Sequence, residues 1–174
     1  MPINMRYAEI YPFDISNGTG IRVSLFVQGC DRHCPGCFNP ETWDFNGGKD
    51  FDSDTGNEIL KLSKPDWISG LSVLGGEPLA PQNIKTVKTL CFGFKQKYPN
   101  KSIWIWTGYT FDELRKNKDF QQLLDYIDVL VDGPFIESQK DLSLKWRGSS
   151  NQHIWKKGGT GKMDQNKNMW YCIE

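Results

Sequence analysis

Four short apolar runs in this chain, residues 21–29, 71–74, 103–107 and 127–131, each lead within two residues into or onto a glycine: Gly29, Gly75, Gly108 and Gly133. Runs of this length, rich in aliphatic, β-branched and aromatic residues, predict buried strands. Between them the apolar residues switch to helical spacing. Ile84, Val87, Leu90, Cys91 and Phe94 predict one helix, and Leu114, Leu123 and Leu124 place another across residues 111–126. A shorter helix is expected to open on a capping box of Thr55 and Glu58, carry Ile59, Leu60 and Leu62, and stop at Pro65. Strand–helix alternation implies an α/β fold with a mostly parallel sheet, curved with helices on one face or flat with helices on both, and ligand sites at the carboxyl ends of the strands. The four glycines fall at those ends. After Gly133 the rhythm is lost, and residues 156–168 are polar and glycine-containing.

A length of 174 residues predicts a single domain with a real core. Apolar residues make up 38% and aromatics 13%, too many large side chains for a disordered chain. Lys plus Arg and Asp plus Glu both number 21, so the basic excess of a general nucleic-acid or anionic-membrane binder is missing. No apolar run approaches the ~18 residues of a membrane span, and residues 1–14 lack signal-peptide character, so a cytoplasmic protein is expected.

Five cysteines are too few and too uneven for a disulfide scaffold. Three of them, Cys30, Cys34 and Cys37, crowd the loop that follows the first predicted strand, where Pro35, Gly36, Asn39 and Pro40 forbid regular structure. The spacing admits two readings. Three thiolates on a 4Fe-4S cluster leave one iron open to an exogenous ligand, the arrangement that catalysis needs. Alternatively, His33 completes a Cys3His set for structural zinc in a non-catalytic binding module, with Trp104, Trp106 and Trp146 as its core or interface; four ligands within so few residues close a tetrahedron awkwardly. Cys91 sits on the apolar side of a predicted helix, and Cys172 is near the C-terminus.

A second constellation, Gly75-Gly76-Glu77-Pro78, ends the second predicted strand. Its glycines allow close backbone approach, and Glu77 offers an anion to a cationic amino-acid group; taken alone it is an ordinary turn. Residues 158–162 (GGTGK) are no phosphate loop, because Met163 stands where Ser or Thr is needed. With only His33 and His153 present, no Ser-His-Asp hydrolase can be argued.

The C-x3-C-x2-C loop followed by Gly-Gly-Glu-Pro resembles the radical S-adenosylmethionine superfamily. Asn17-Gly18, Cys34-Pro35-Gly36-Cys37, Trp106-Thr107-Gly108-Tyr109, residues 128–133 and residues 146–152 further resemble the activases of the anaerobic ribonucleoside-triphosphate reductase. The resemblance implies a partial (β/α) barrel of radical SAM type over residues 1–155, followed by a polar C-terminal segment, 156–174. It implies Cys30, Cys34 and Cys37 as ligands of a 4Fe-4S cluster, and Gly36, Phe38, Gly75, Gly76 and Glu77 around S-adenosylmethionine. The implied chemistry is reductive cleavage of that cofactor and removal of a hydrogen atom from a glycine of the reductase large subunit, with a low-potential electron donor such as flavodoxin. Activation of another glycyl radical enzyme is the neighbouring alternative. Many superfamily members carry an aromatic residue immediately before the third cysteine; here Gly36 stands there and Phe38 follows. Asp132, Thr107, Gly108, Arg147, Ser149 and Asn151 are expected either to contact substrate or cofactor or to shape turns and loops.

Overall fold

A computed structural model describes residues 5–158 and 170–173. The elements run β1 (Arg6–Asp14), β2 (Ile21–Val27), β3 (Lys49–Asp50), α1 (Ser53–Leu62), β4 (Ile68–Gly75), α2 (Ile84–Lys97), β5 (Ser102–Trp106), α3 (Phe111–Leu114), α4 (Lys118–Leu123), β6 (Val129–Asp132), β7 (His153–Lys157) and β8 (Trp170–Cys172). All eight strands form one sheet in the order β3-β1-β2-β4-β5-β6-β7-β8. Pairing is parallel across β2, β4, β5 and β6 and antiparallel on both flanks, so the sheet is mixed, not mostly parallel, with β3 and β8 as open edges. The predicted core strands are the four parallel ones. On the far flank the apolar residues near the C-terminus return as β8 against β7, as their sequence permits; β1 and β3 escape prediction because β1 carries two register irregularities and Pro12 and β3 is two residues long.

Successive side chains of a strand point to opposite faces. On one face Val23, Leu25, Val27, Leu71, Val73, Ile103, Ile105 and Leu130 join residues of all four helices in a single core. Among the described residues no α-helix packs on the opposite face. There Trp104, Val129, Val131 and Ile154 form a small second cluster with Trp106 and Trp146. Near the amino ends of the parallel strands this face holds Arg22, fully buried, whose guanidinium makes five hydrogen bonds, to Ser72 Oγ (2.7 Å), Ser102 Oγ (2.9 Å) and the carbonyls of Thr19, Leu71 and Ser102. Its fork closes that end with oxygen acceptors and no carboxylate in contact; burial pushes its pKa down to about 10.

Two helical predictions shift. The cap of α1 is Asp52, whose side chain accepts from the Thr55 amide at 2.8 Å; Thr55 therefore lies inside the helix. The single helix expected over residues 111–126 is two, because Asn117 turns its side-chain oxygen onto the amides of Asp119 and Phe120 and starts α4 anew. Each half still delivers its apolar residues, Phe111, Leu114, Phe120 and Leu123, to the core.

Candidate functional site

The carboxyl ends of β2, β4, β5 and β6 surround a cavity of about 610 Å³ on the helix-free side of the sheet. Cys30, Cys34 and Cys37 all line it, as do Gly75, Gly76 and Glu77. The cysteine loop leaves β2 and returns beside it: the Gly29 amide donates to Thr42 O (2.8 Å) and the Cys30 amide to Trp43 O (3.1 Å). The Gln28 side chain ties the returning strand through the carbonyls of Glu41 and Asp44. Between these clasps the chain is irregular, with a tight turn from Cys34 O to the Cys37 amide (3.1 Å), and all three cysteines line the one cavity.

The second turn is built onto the first. Gly75 has a φ of +106°, and a Cβ on Gly76 would lie 2.5 Å from Gly29 O. The Gly76 and Glu77 amides donate to Val27 O (2.9 Å) and Gly29 O (2.8 Å). What the second glycine admits is therefore the backbone at the base of the cysteine loop, locking the two motifs at a fixed separation.

Glu77 is 1% exposed. Its Oε1 accepts from the Leu79 amide (2.9 Å) and the Thr107 hydroxyl (2.7 Å), its Oε2 from the Gly108 amide (2.7 Å). Among the described residues no cationic side chain pairs with it. Burial dominates over these donors and pushes its carboxyl up to about 7. A buried acid with lone-pair capacity left and no cation suits an ammonium group. Asn83 secures the turn from behind, donating to Gln28 O (3.1 Å) and Glu77 O (2.9 Å).

The donor set can be tested against metals. Among the described residues no group of three or more His, Cys, Asp or Glu side chains gathers as it would around one metal ion. His33 does not line the cavity; at φ +44° its ring stacks on Trp43 with centroids 4.6 Å apart, so the Cys3His zinc set does not form. Three thiols lining one cavity, with neither of the other cysteines among its lining, are the donor set that suits a 4Fe-4S cluster with one open iron. Burial pushes the Cys30 thiol up to about 11, and the Cys37 sulfur accepts from the Asn39 amide at 3.4 Å. Cys91 is buried in α2 and Cys172 lies on β8; neither lines the cavity.

The remaining expected residues divide. Phe38 lines the cavity, half exposed, against Phe135 at 5.0 Å, whereas Gly36 faces Glu137 and lies outside the lining. Arg147 lines the cavity. Asp132 does not: it is buried, accepts from the Phe111 amide (2.6 Å), and meets the His153 ring at 3.2 Å, joining β6, β7 and α3. Ser149 and Asn151 bond to the Ile136 amide and Pro134 O, shaping their own loop.

Sequence reasoning missed the grip of Thr107 and Gly108 on Glu77; their place at a strand end level with Gly75 was the available signal. It also missed Tyr109, whose hydroxyl donates to Asp31 (3.0 Å) and whose ring lies under the Arg32 guanidinium (4.7 Å). That pair fastens the cysteine loop to the turn after β5.

Residues 16–155 match the family model described as a 4Fe-4S single cluster domain. The chain is 45% identical over 152 residues to the anaerobic ribonucleoside-triphosphate reductase-activating protein of Haemophilus influenzae, and 46% identical over 152 residues to that of Escherichia coli strain K12; each match covers 86% of this chain and 97% of the relative. The protein of the same name from Enterobacteria phage T4 is 41% identical over 153 residues, covering 87% of this chain and 94% of its own. The family model spans every residue that lines the cavity, and the chain belongs to the family of anaerobic ribonucleoside-triphosphate reductase-activating proteins.

Proposed function

We propose that this chain is a radical S-adenosylmethionine enzyme that activates the anaerobic ribonucleoside-triphosphate reductase by installing a glycyl radical on it. The observation that carries this is the meeting of three cysteines and the Gly75-Gly76-Glu77 turn on one cavity, within a chain whose relatives bear that activity in their names. Cys30, Cys34 and Cys37 would hold a 4Fe-4S cluster. Gly75, Gly76 and Glu77, with Phe38 and the turn at Gly36, would receive S-adenosylmethionine. Bound there, the two cofactors supply reductive cleavage of a sulfonium and a 5'-deoxyadenosyl radical able to take a hydrogen atom from glycine.

The chain's own residues position and shelter. Glu77, held by Thr107 and Gly108, orients an ammonium group; Gly76 fixes its distance from the cysteine loop; Trp106 and Trp146 wall the cavity against water. In this reading the open sheet is a partial barrel of radical SAM type, carried by residues 1–155, followed by a polar C-terminal segment, 156–174. The electron comes from a low-potential donor such as flavodoxin, and the protein works in the cytoplasm. Anaerobic reconstitution should give about four iron and four sulfide per chain, and dithionite with S-adenosylmethionine should then release 5'-deoxyadenosine. A chain that takes up one zinc and no iron would refute the proposal.

A further inference from the structure

The cavity wall facing the cysteine loop is built by a single excursion of the chain, residues 139–150, between the end of β6 and the start of β7. Its stem is closed by the Lys140–Ser149 bridge and by hydrogen bonds from the Asp141 amide to Gly148 O (3.1 Å) and the Ser150 amide to Gln139 O (2.9 Å). It is pinned to the helix-free face: the Trp106 indole N–H donates to Trp146 O at 2.6 Å, and the Trp146 ring stands edge-on to Trp104 at 5.0 Å. Trp146 takes a φ of +62°, which a bulky residue rarely adopts without surrounding packing to hold it there. At Gly148 a Cβ would lie 2.6 Å from the Phe38 ring, so the excursion is packed directly onto the residue after Cys37.

Its tip behaves differently. Leu142 and Leu144 both line the cavity, yet Leu142 is 80% exposed, more than any other large apolar side chain among the described residues. Phe26 of β2 and Leu74 of β4 line the same cavity. Its lining thus combines polar groups, among them the thiols, Glu77, Asp141 and Arg147, with apolar side chains, Phe26, Leu74, Leu142 and Leu144.

The proposed reaction needs an occupant besides its cofactors, a polypeptide presenting a glycine Cα–H. We propose that residues 139–150 are the clamp for that polypeptide: Leu142 and Leu144 grip apolar side chains flanking the reductase glycine as its segment enters from the open face. This rests on the functional reading above and adds the surface by which the partner is recognised. The occupant follows from continuity. Leu142 and Leu144 line the same cavity as the three cysteines, so a segment held by them shares that space with the chemistry, and the packing of Gly148 on Phe38 fixes the clamp to the cluster loop. Exposed apolar side chains on a hydrogen-bonded stem that also lines a cavity offer apolar surface for a partner to bury.

The test uses the full, anaerobically reconstituted chain as wild type, Leu142→Asp and Leu142→Met. At its exposure Leu142 is not needed for folding. Leu142→Asp is expected to cleave S-adenosylmethionine at the wild-type rate without reductase, to bind the purified reductase at least tenfold more weakly by calorimetry, and to need correspondingly more reductase for half-maximal glycyl radical. Leu142→Met should stay within twofold on all three. The clamp is overturned if Leu142→Asp binds and activates the reductase as wild type does, if it loses cofactor cleavage, or if it only dissociates a dimer of this chain. A wild-type chain that cleaves cofactor but neither binds the reductase nor leaves a radical on it sinks the functional reading, and the clamp with it.

Discussion

The two faces of the sheet share the same parallel strands but answer to different physics. On the helix-covered face, Val23, Leu25, Val73, Ile103 and Ile105 meet only other apolar side chains, and what matters there is volume. On the bare face the same strands present Arg22, Ser24, Ser72, Trp104 and Trp106, and what matters is which atom points where. The covered face gives the strands a rigid platform, and their carboxyl ends spend that rigidity on holding two loops in register. Stability and chemistry should therefore separate by face under mutation.

The largest expected effect breaks the chemistry alone. Cys34→Ala, in an irregular and partly exposed loop, should reduce 5'-deoxyadenosine formation to background while shifting unfolding free energy by no more than about 0.5 kcal/mol. The converse change lies on the covered side: Phe94→Ala, fully buried in α2, should cost about 3–5 kcal/mol in urea denaturation, while whatever protein stays folded still loads iron. Were Cys34→Ala to unfold the chain, or Phe94→Ala to spare its stability, the division by face would be wrong.

Two smaller effects sharpen the bare face. Glu77 has its carboxyl raised from 4.5 to about 7 by burial, so the folded chain without ligand holds that proton more tightly than the unfolded one. Its contribution to stability is full below pH 4.5 and is lost as the pH rises through 7. A cationic amino group selects the ionised form, so affinity for S-adenosylmethionine should run the other way, rising about tenfold from pH 6 to pH 8, with the slope abolished in Glu77→Gln. Equilibrium dialysis across that range measures it. Thr107→Val removes one of three donors to the same carboxyl and should weaken cofactor binding about fivefold. Thr107→Ser should restore it, and cleavage at saturating cofactor should hardly change.

The legibility of the sequence divides along the same line. Volume and periodicity are local signals, which is why β2, β4, β5, β6 and α2 could be read from runs such as residues 21–29 and from Ile84, Val87 and Phe94. The cysteine loop was legible because three thiols in eight residues leave few chemical alternatives. What could not be read depends on contacts between distant segments. His33 sits beside Cys34 in sequence, yet its ring stacks on Trp43 and does not itself line the cavity. Asp132 has the strand-end position of a site residue, but the α3 amide and His153 claim it. Thr107 resembles any turn threonine until Glu77, thirty residues earlier, is placed against it. The excursion over residues 139–150 has no periodicity, since its shape comes from Trp104, Trp106 and Phe38.

The central claim is that three thiols and one buried acid at the end of a parallel sheet prepare a radical for delivery to another protein. The most direct measurement is the electron paramagnetic resonance spectrum of the anaerobic ribonucleoside-triphosphate reductase, frozen after incubation with the reconstituted chain, reductant and S-adenosylmethionine. The account predicts a glycyl doublet that needs every component and disappears with Cys34→Ala. A reductase that stays silent while 5'-deoxyadenosine accumulates, or a doublet that survives the loss of Cys34, would contradict it.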